Sequence, residues 1–237
     1  MQLKTSLSLL AAVAPFGLAL PYERRGENST DAGEGFGAPS TAGTGTVDTY
    51  HGNVGNPWGS NIKEISGDEA DQYKYVAEIS GQHSEPWTVV FWNKFGPDGK
   101  QDGHYGQSAL TFTLSPDETK YVAFDENTQA ALGATSGGEL PTSDMGAYSC
   151  TWGELDFGNA ENNEWSGFDV SAIQAQMAGD EVQGMQICAD GGTCSSITPD
   201  AAQVDNAYTQ GEVDVGGIGA NLPSGPVKVT IVVGYEG

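Results

Sequence analysis

Short runs with a two-residue hydrophobic period, each closed off by glycine, proline or aspartate, recur along most of this chain and leave it few ways to fold. Tyr73, Tyr75, Ala77 and Ile79 alternate with Lys74, Val76 and Glu78, and WTVVFW fills residues 87–92. Leu110, Phe112 and Leu114 alternate with Thr111 and Thr113, and PVKVTIVVGY puts Val227, Val229, Ile231 and Val233 opposite Lys228 and Thr230. Successive side chains of a strand point to opposite faces, so each run predicts a strand with one buried side. Further short strands are predicted at residues 121–124 and in WGELDF around Trp152, and turns such as FGPDGKQDGHYG separate the pieces. DVSAIQAQMAGDEV is the one long helix candidate, with Ala172, Ile173, Gln176 and Met177 on one side; a strand reading of FDVSAI competes with it. The sum is a mostly β chain: a single, mostly antiparallel β-sandwich over residues 48–237 with long loops and few short helices.

The segment before that domain has a different chemistry. MQLKTSLSLLAAVAPFGLAL places Lys4 ahead of an apolar stretch too short to span a membrane, which predicts a secretory signal over residues 1–19. Arg24 and Arg25 form a dibasic pair suited to a processing protease, and residues 20–47 read as a propeptide and a Gly/Ser/Thr-rich disordered head. Asn28-Ser29-Thr30 in that head is a glycosylation sequon. Trp58, in HGNVGNPWGSNI, is expected to dock on the main domain.

Cleavage after Arg25 leaves six lysines and no arginine, so bidentate guanidinium recognition is excluded. The formal charge of the whole chain is −23, from 9 basic and 32 acidic residues. A nucleic-acid partner needs the opposite sign, and an anionic membrane is disfavoured by the same field. Neither cleavage exposes a terminal histidine, which removes a copper site built on an amino-terminal imidazole. A monomer without cofactor, secreted and associated with the cell wall, is the expectation.

Cys188 and Cys194 bracket ADGGT, a loop short enough to bring two thiols together in an oxidising compartment, and predict a disulfide. Cys150 is left over, buried beside Trp152 or paired otherwise. His51, His83 and His104 have no ligand spacing, and Asp98, Asp102 and Asp190 sit in glycine-rich turns without a twelve-residue calcium loop, so no metal is expected. Serine hydrolase, zinc protease and phosphate-cradling motifs are absent from the sequence.

What remains is acids and rings. Strand alternation in TWGELDFG puts Glu154 and Asp156 on one face, and Asp169 lies between Phe168 and Val170, where burial would raise its pKa. Glu154 and Asp169 are the candidate catalytic pair, since glycoside hydrolysis needs two carboxyl groups across one bond. Trp152, Trp165, Tyr105 and Tyr148 are the candidate sugar-stacking residues, with Trp165 the best exposed and Trp92 buried; Trp87 belongs to the same aromatic set.

The strings VVFWNKFGPDGK, GHYGQSALTFTLSPDETKYVAFDENTQ, TWGELDFG, EWSGFDVSAIQAQ, EVQGMQIC, GTCSSIT and VDVGGIGANLPSGPV, in order over about residues 85–237, resemble the secreted fungal allergen family typified by the fourth-numbered Aspergillus allergen. The resemblance implies an extracellular fungal protein, often recognised by IgE, whose activity is not established. A fainter resemblance is to thaumatin-like proteins, whose sandwich carries T-L-x-E-F and then Y-D-x-S-x-x-D around an acidic cleft associated with β-1,3-glucan. Thr151-Trp152-Gly153-Glu154-Leu155 looks like the first and Phe168-Asp169-Val170-Ser171 like the second, which implies cleft positions for Glu154 and Asp169. Gln174 stands where that pattern has a further acid, and the cleft arginine and the dense disulfide set have no counterpart. Together these readings favour binding of cell-wall or host polysaccharide, β-glucan first. The alternatives are a weak endo-β-1,3-glucanase and a non-catalytic structural or protein-interaction protein.

Overall fold

The strands form where the alternation predicts them, and their apolar sides meet in one interior. The computed structural model describes residues 35–40 and 52–237; the leader, Arg24, Arg25, Asn28 and His51 lie outside the described residues. In chain order the strands are β1 (Ile62–Ile65), β2 (Tyr75–Gly81), β3 (Trp87–Asn93), β4 (Leu110–Leu114), β5 (Lys120–Phe124), β6 (Thr128–Ser136) and β7 (Trp152–Asn159). They continue with β8 (Trp165–Ser171), β9 (Met185–Ala189), β10 (Cys194–Ile197), β11 (Val204–Asp205), β12 (Ala220–Leu222) and β13 (Val227–Val233). Seven of them form one sheet in the order β1-β5-β2-β13-β9-β10-β11, and six form a second in the order β12-β8-β7-β6-β3-β4. Between the sheets lie Tyr75, Ala77, Ile79, Phe91, Leu132, Leu155, Phe157, Phe168, Ile187, Val229 and Ile231, all buried. This is a β-sandwich.

One pairing departs from the antiparallel expectation. β13 lies parallel to β2, Val227 opposite Tyr75 through Val233 opposite Gly81, and antiparallel to β9 on its other side. The last strand of the chain thus enters the middle of the first sheet beside one of the earliest. Sequence alternation is blind to this, because it reports which face is buried and not which neighbour is paired. The helix candidate is also divided. Phe168 to Ser171 belong to β8, and only Ile173–Ala178 form a helix, α1, closed by Gly179 in the left-handed conformation. Ala172 and Ala175 are the buried positions there while Met177 is 56% exposed, so the apolar side differs from the one the spacing predicts. Tyr73 precedes β2 and packs edge-on against Phe36 at 5.5 Å.

β6, in the centre of the second sheet, carries no alternation in TQAALGATS because it is buried on both sides. Ala130, Leu132 and Ala134 face the interior, whereas Ala131 joins an outer cluster with Val90, Trp92, Leu140, Tyr148, Cys150 and Trp152. Gly133 is obligatory on that outer side: a Cβ there would collide with the Cys150 sulfur. Trp58 docks as expected, half-buried against Val54 and Phe95, with its indole N–H donating to the Phe95 carbonyl at 3.0 Å. The Cys188–Cys194 disulfide forms between paired positions of β9 and β10.

Ile231 is fully buried in β13 between two partner strands. Truncation to Ile231→Ala is expected to cost about 2–5 kcal/mol of folding free energy by deleting buried methyls from a site flanked on both sides. Urea unfolding at constant slope measures it.

Candidate functional site: an acid pair on the outer face of the second sheet

On β7, Gly153, Leu155 and Phe157 point to the interior, which leaves Trp152, Glu154 and Asp156 on the outer face. On β8, Phe168 and Val170 point inward, leaving Trp165, Gly167, Asp169 and Ser171 outward. The two strands pair antiparallel with Glu154 directly opposite Asp169. The row extends across β6 to Ala131 and across β3 to Trp92, so two acids and a buried indole share one line of the sheet.

Asp169 is 1% exposed, and among the described residues no N–H or O–H donor reaches either of its oxygens. The group set against it is the Glu154 carboxyl, at the directly paired position of β7. Like charges at paired positions oppose each other's ionisation, so the pair favours a form that retains a proton. Burial pushes Asp169 well above the usual carboxylate range, and the Glu154 charge pushes it the same way. Glu154 is half-buried and keeps an edge at the surface. Its pKa is also raised by burial, opposed by the neighbouring Asp169 carboxyl and by the charge of Lys94.

Lys94, just beyond β3, is the cation facing Glu154 and Asp156; burial lowers its pKa while these two acids oppose the shift. Its backbone N–H donates to the Gln129 carbonyl at 3.0 Å, which ties it to β6. Asp156 rises to about 6, mainly through burial, against the opposing effects of Asn159, Lys94 and Gln129.

Tyr208 completes the site from far along the chain. Its N–H donates to the Val170 carbonyl at 2.8 Å, its carbonyl accepts from Ala172, and its hydroxyl accepts the Ile218 N–H at 3.0 Å. Its own ionisation is opposed by burial and by the charges of Asp169 and Glu154. Gly219, in the left-handed region at φ 107°, follows and lies against Asp169, where any side chain would strike the Phe168 carbonyl and the Asp169 Cβ. No motif marks Tyr208 or Lys94; only the pairing of β8 with the 208–220 segment and of β3 with β6 brings them to the acids.

Among the aromatic candidates the structure separates two groups. Trp152 and Tyr148 are 3% and 7% exposed, so they do not present open faces to a ligand. They pack with Trp92, at 5.3 Å and 4.8 Å between ring centres, and the Trp152 indole N–H donates to the Tyr148 carbonyl. This corrects the expectation that both are available for stacking: the outer face of β3 and β6 is apolar and needs a cover. His104 also packs on Trp152, and Tyr105 packs on His104 at 4.3 Å. Trp165 at 40% and Tyr105 at 38% remain exposed, and Trp165 stands on the same face of β8 as Asp169. Trp87 is stacked on His83 at 5.2 Å beside a cavity of about 620 Å³ where the β2–β3 turn meets residues 181–184. Asp98 is ion-paired with Lys100. Among the described residues no three His, Cys, Asp or Glu side chains converge on a common point.

The chain is a two-sheet sandwich whose second sheet carries, on its outer face, an acid pair and an exposed tryptophan further along the same strand. The chain belongs to the family described as the Allergen Asp f 4-like domain, whose model matches residues 60–233. It is 52% identical over 212 residues to Allergen Asp f 4 of Aspergillus fumigatus, covering 89% of this chain and 65% of that protein. The chain therefore spans about two thirds of the length of this relative. A solved structure, the protein elicitor MoHrip2 from Magnaporthe oryzae, is 14% identical with a TM-score of 0.43, over 68% of this chain and 99% of that one; a likeness of that degree carries no argument about fold or function. Family membership agrees with the secretory reading of the leader.

Cys150 is fully buried and its thiol is pushed up to about 12 by that burial. It is expected to be inert to a thiol reagent at neutral pH in the native protein and to react promptly once denaturant opens the outer cluster; reaction at the same rate in both states would contradict the packing. A second expectation concerns pH. The folded-state pKa values of Asp169 and Asp156 lie above the ordinary 3.8, so from about pH 4 upward the native state keeps protons that the unfolded chain has released. Their contribution to stability therefore declines as pH rises from about 4 through 6 and beyond. Melting curves of Asp169→Asn should show a flatter pH dependence across that window than the parent protein, with the greatest relative gain at the alkaline end.

Proposed function

We propose that this chain is a secreted fungal protein that holds a neutral cell-wall or host polysaccharide, β-glucan foremost, against the outer face of the second sheet without cleaving it. The observation that carries this reading is the exposed Trp165 on the same face of β8 as Asp169, beside Glu154 and Asp156 on β7. Sugar rings offer a flat C–H face to an indole and hydroxyls to carboxyl groups, and this face supplies both. Trp165 and Asp169 are four residues apart, about 13 Å along a strand, so a ligand touching both is an oligomer rather than a single ring. The formal charge of −23 favours an uncharged polymer over a polyanion. Tyr105 supplies a second exposed ring. The thaumatin-like resemblance of the Glu154 and Asp169 segments supports the same face as the ligand site. Secretion after removal of residues 1–19, a single domain from residue 48 and a monomeric state belong to this reading.

Hydrolysis by Glu154 and Asp169 is the weaker reading on geometric grounds. A pair that flanks a glycosidic bond opens to the substrate on both sides of it, whereas these two stand at directly paired positions of adjacent strands with Asp169 only 1% exposed, which leaves a sugar no way in between them.

Calorimetry against glucan and chitin oligomers tests the proposal, together with assays for reducing ends released from laminarin. Binding without release is expected, and Trp165→Ala should weaken it roughly tenfold, the loss of about 1.4 kcal/mol of ring contact. Release abolished by Glu154→Gln would establish the enzyme instead. No heat with any oligomer would leave a protein-interaction role.

A further inference from the structure

The cavity of about 620 Å³ beside Trp87 lies at the end of the sandwich opposite Trp165. β3 starts there beside the last residue of β6, whereas β8 starts beside the last residue of β7, and β6 and β7 run antiparallel. Trp87 is on the inward side of β3 with Val89 and Phe91, and it packs on the margin of the core. The first sheet brings the ends of β2 and β13 and the start of β9 to the same place, with Val233 opposite both Gly81 and Met185. His83, in the β2–β3 turn, lies flat on the indole with ring centres 5.2 Å apart. These two rings form an apolar floor. The walls are held by backbone hydrogen bonds: Gln82 N–H donates to the Val233 carbonyl at 2.9 Å and Tyr235 N–H to the Gly184 carbonyl at 3.2 Å. Glu236 N–H donates to the Gln82 side-chain oxygen at 2.8 Å.

Glu85, Glu181 and Glu236 line this cavity from three separate segments; all are solvent-exposed, and no lysine or arginine stands among the lining residues. Lys63, Lys74, Lys94, Lys100, Lys120 and Lys228 all engage other groups, so among the described residues none of the three carboxylates has a cationic partner. We propose that the cavity binds a small aliphatic polyamine, its ammonium groups taken by these glutamates and its methylenes laid on the floor made by Trp87 and His83. A concave wall lined by one sign of charge focuses its field and concentrates ligands of the opposite sign. The volume is that of a small-molecule site, and its aromatic floor offers contact that a hydrated metal ion has no use for. A metal ion also needs oxygens that converge, and among the described residues no three acidic, histidine or cysteine side chains do so. Carboxylates spread around a mouth suit instead a ligand whose charges are spread along a chain. The site goes beyond the polysaccharide reading and stands apart from it, at the other end of the molecule from Trp165.

The test is a titration of the full chain with spermidine at about pH 7.5 and low salt, where an ordinary imidazole is mostly neutral and an alkylamine is charged. Tryptophan fluorescence should change saturably with one spermidine per chain, and the change should vanish in Trp87→Phe. By calorimetry, Glu85→Gln combined with Glu181→Gln should weaken binding about tenfold, since two partly exposed ion pairs contribute up to about fivefold each. Asp190→Asn combined with Glu161→Gln removes the same charge from exposed positions at the opposite end and should leave affinity within about twofold. All four side chains are exposed, so neither pair of substitutions disturbs the core. In the parent protein, magnesium should displace spermidine no better than sodium does at equal ionic strength. Equal weakening in the two double variants, displacement by magnesium, or heat without saturation would mean attraction to the overall charge and would overturn the proposal. Absence of binding would overturn it too, and the polysaccharide reading would be untouched by any of these results.

Discussion

The register between β7 and β8 is the constraint on which the rest of the site depends. Leu155, Phe157, Phe168 and Val170 must face the first sheet, because together they fill the interior opposite Ile187, Val229 and Ile231. A slip of one residue in either strand would turn its acids into the core and its core residues to the outside. Glu154 therefore meets Asp169 because the apolar faces leave no other pairing. The same register lines up Ala131 and Trp92 in their row and brings Lys94 within reach through β6.

A buried acid pair is costly, and raised pKa values, which favour a protonated form, limit that cost where little cationic charge is at hand. No arginine occurs beyond residue 25, and Lys94 is itself half-buried. Retaining a proton lowers the local negative charge, whereas two bare carboxylates at paired positions in a poorly solvated place would repel strongly. A sheet face that needs only to be covered is covered a few residues away, by Trp92, Trp152, Tyr148 and Cys150 packed over small residues of β6. The two halves of one face thus differ in kind: an apolar half closed by aromatic rings, and a polar half whose open edge carries Trp165.

Much of this was legible in the sequence and the rest has identifiable reasons for being hidden. The runs at β2, β4, β7 and β13 announce themselves by alternation because each has one side in the interior, and β3, buried on both sides, by its β-branched and aromatic content. β6 does not, since Ala, Gly and Leu buried on both sides carry no period. The pieces β10 to β12, two to four residues long, are too brief for periodicity to register. Glu154 and Asp169 stood out through their apolar neighbours, and their meeting follows from strand pairing. Burial of Trp152 and Tyr148 was not legible, because an aromatic residue on the outer face of a strand looks the same whether solvent or another ring covers it. Nothing near Tyr208 or Lys94 in the chain signals a role.

The sequence alone determined the β class of the fold, the inward and outward sides of most strands, the Cys188–Cys194 bridge, the acidic field and the family, all of which depend on neighbours a few residues apart. Tertiary structure decided that β13 runs parallel to β2, that the outer face of β3 and β6 needs an aromatic cover, and that Asp169 is shut away with Glu154 as its partner. Those outcomes are set by contacts between segments tens of residues apart, where burial and the proton it forces on an acid arise only once the sheets have closed on each other.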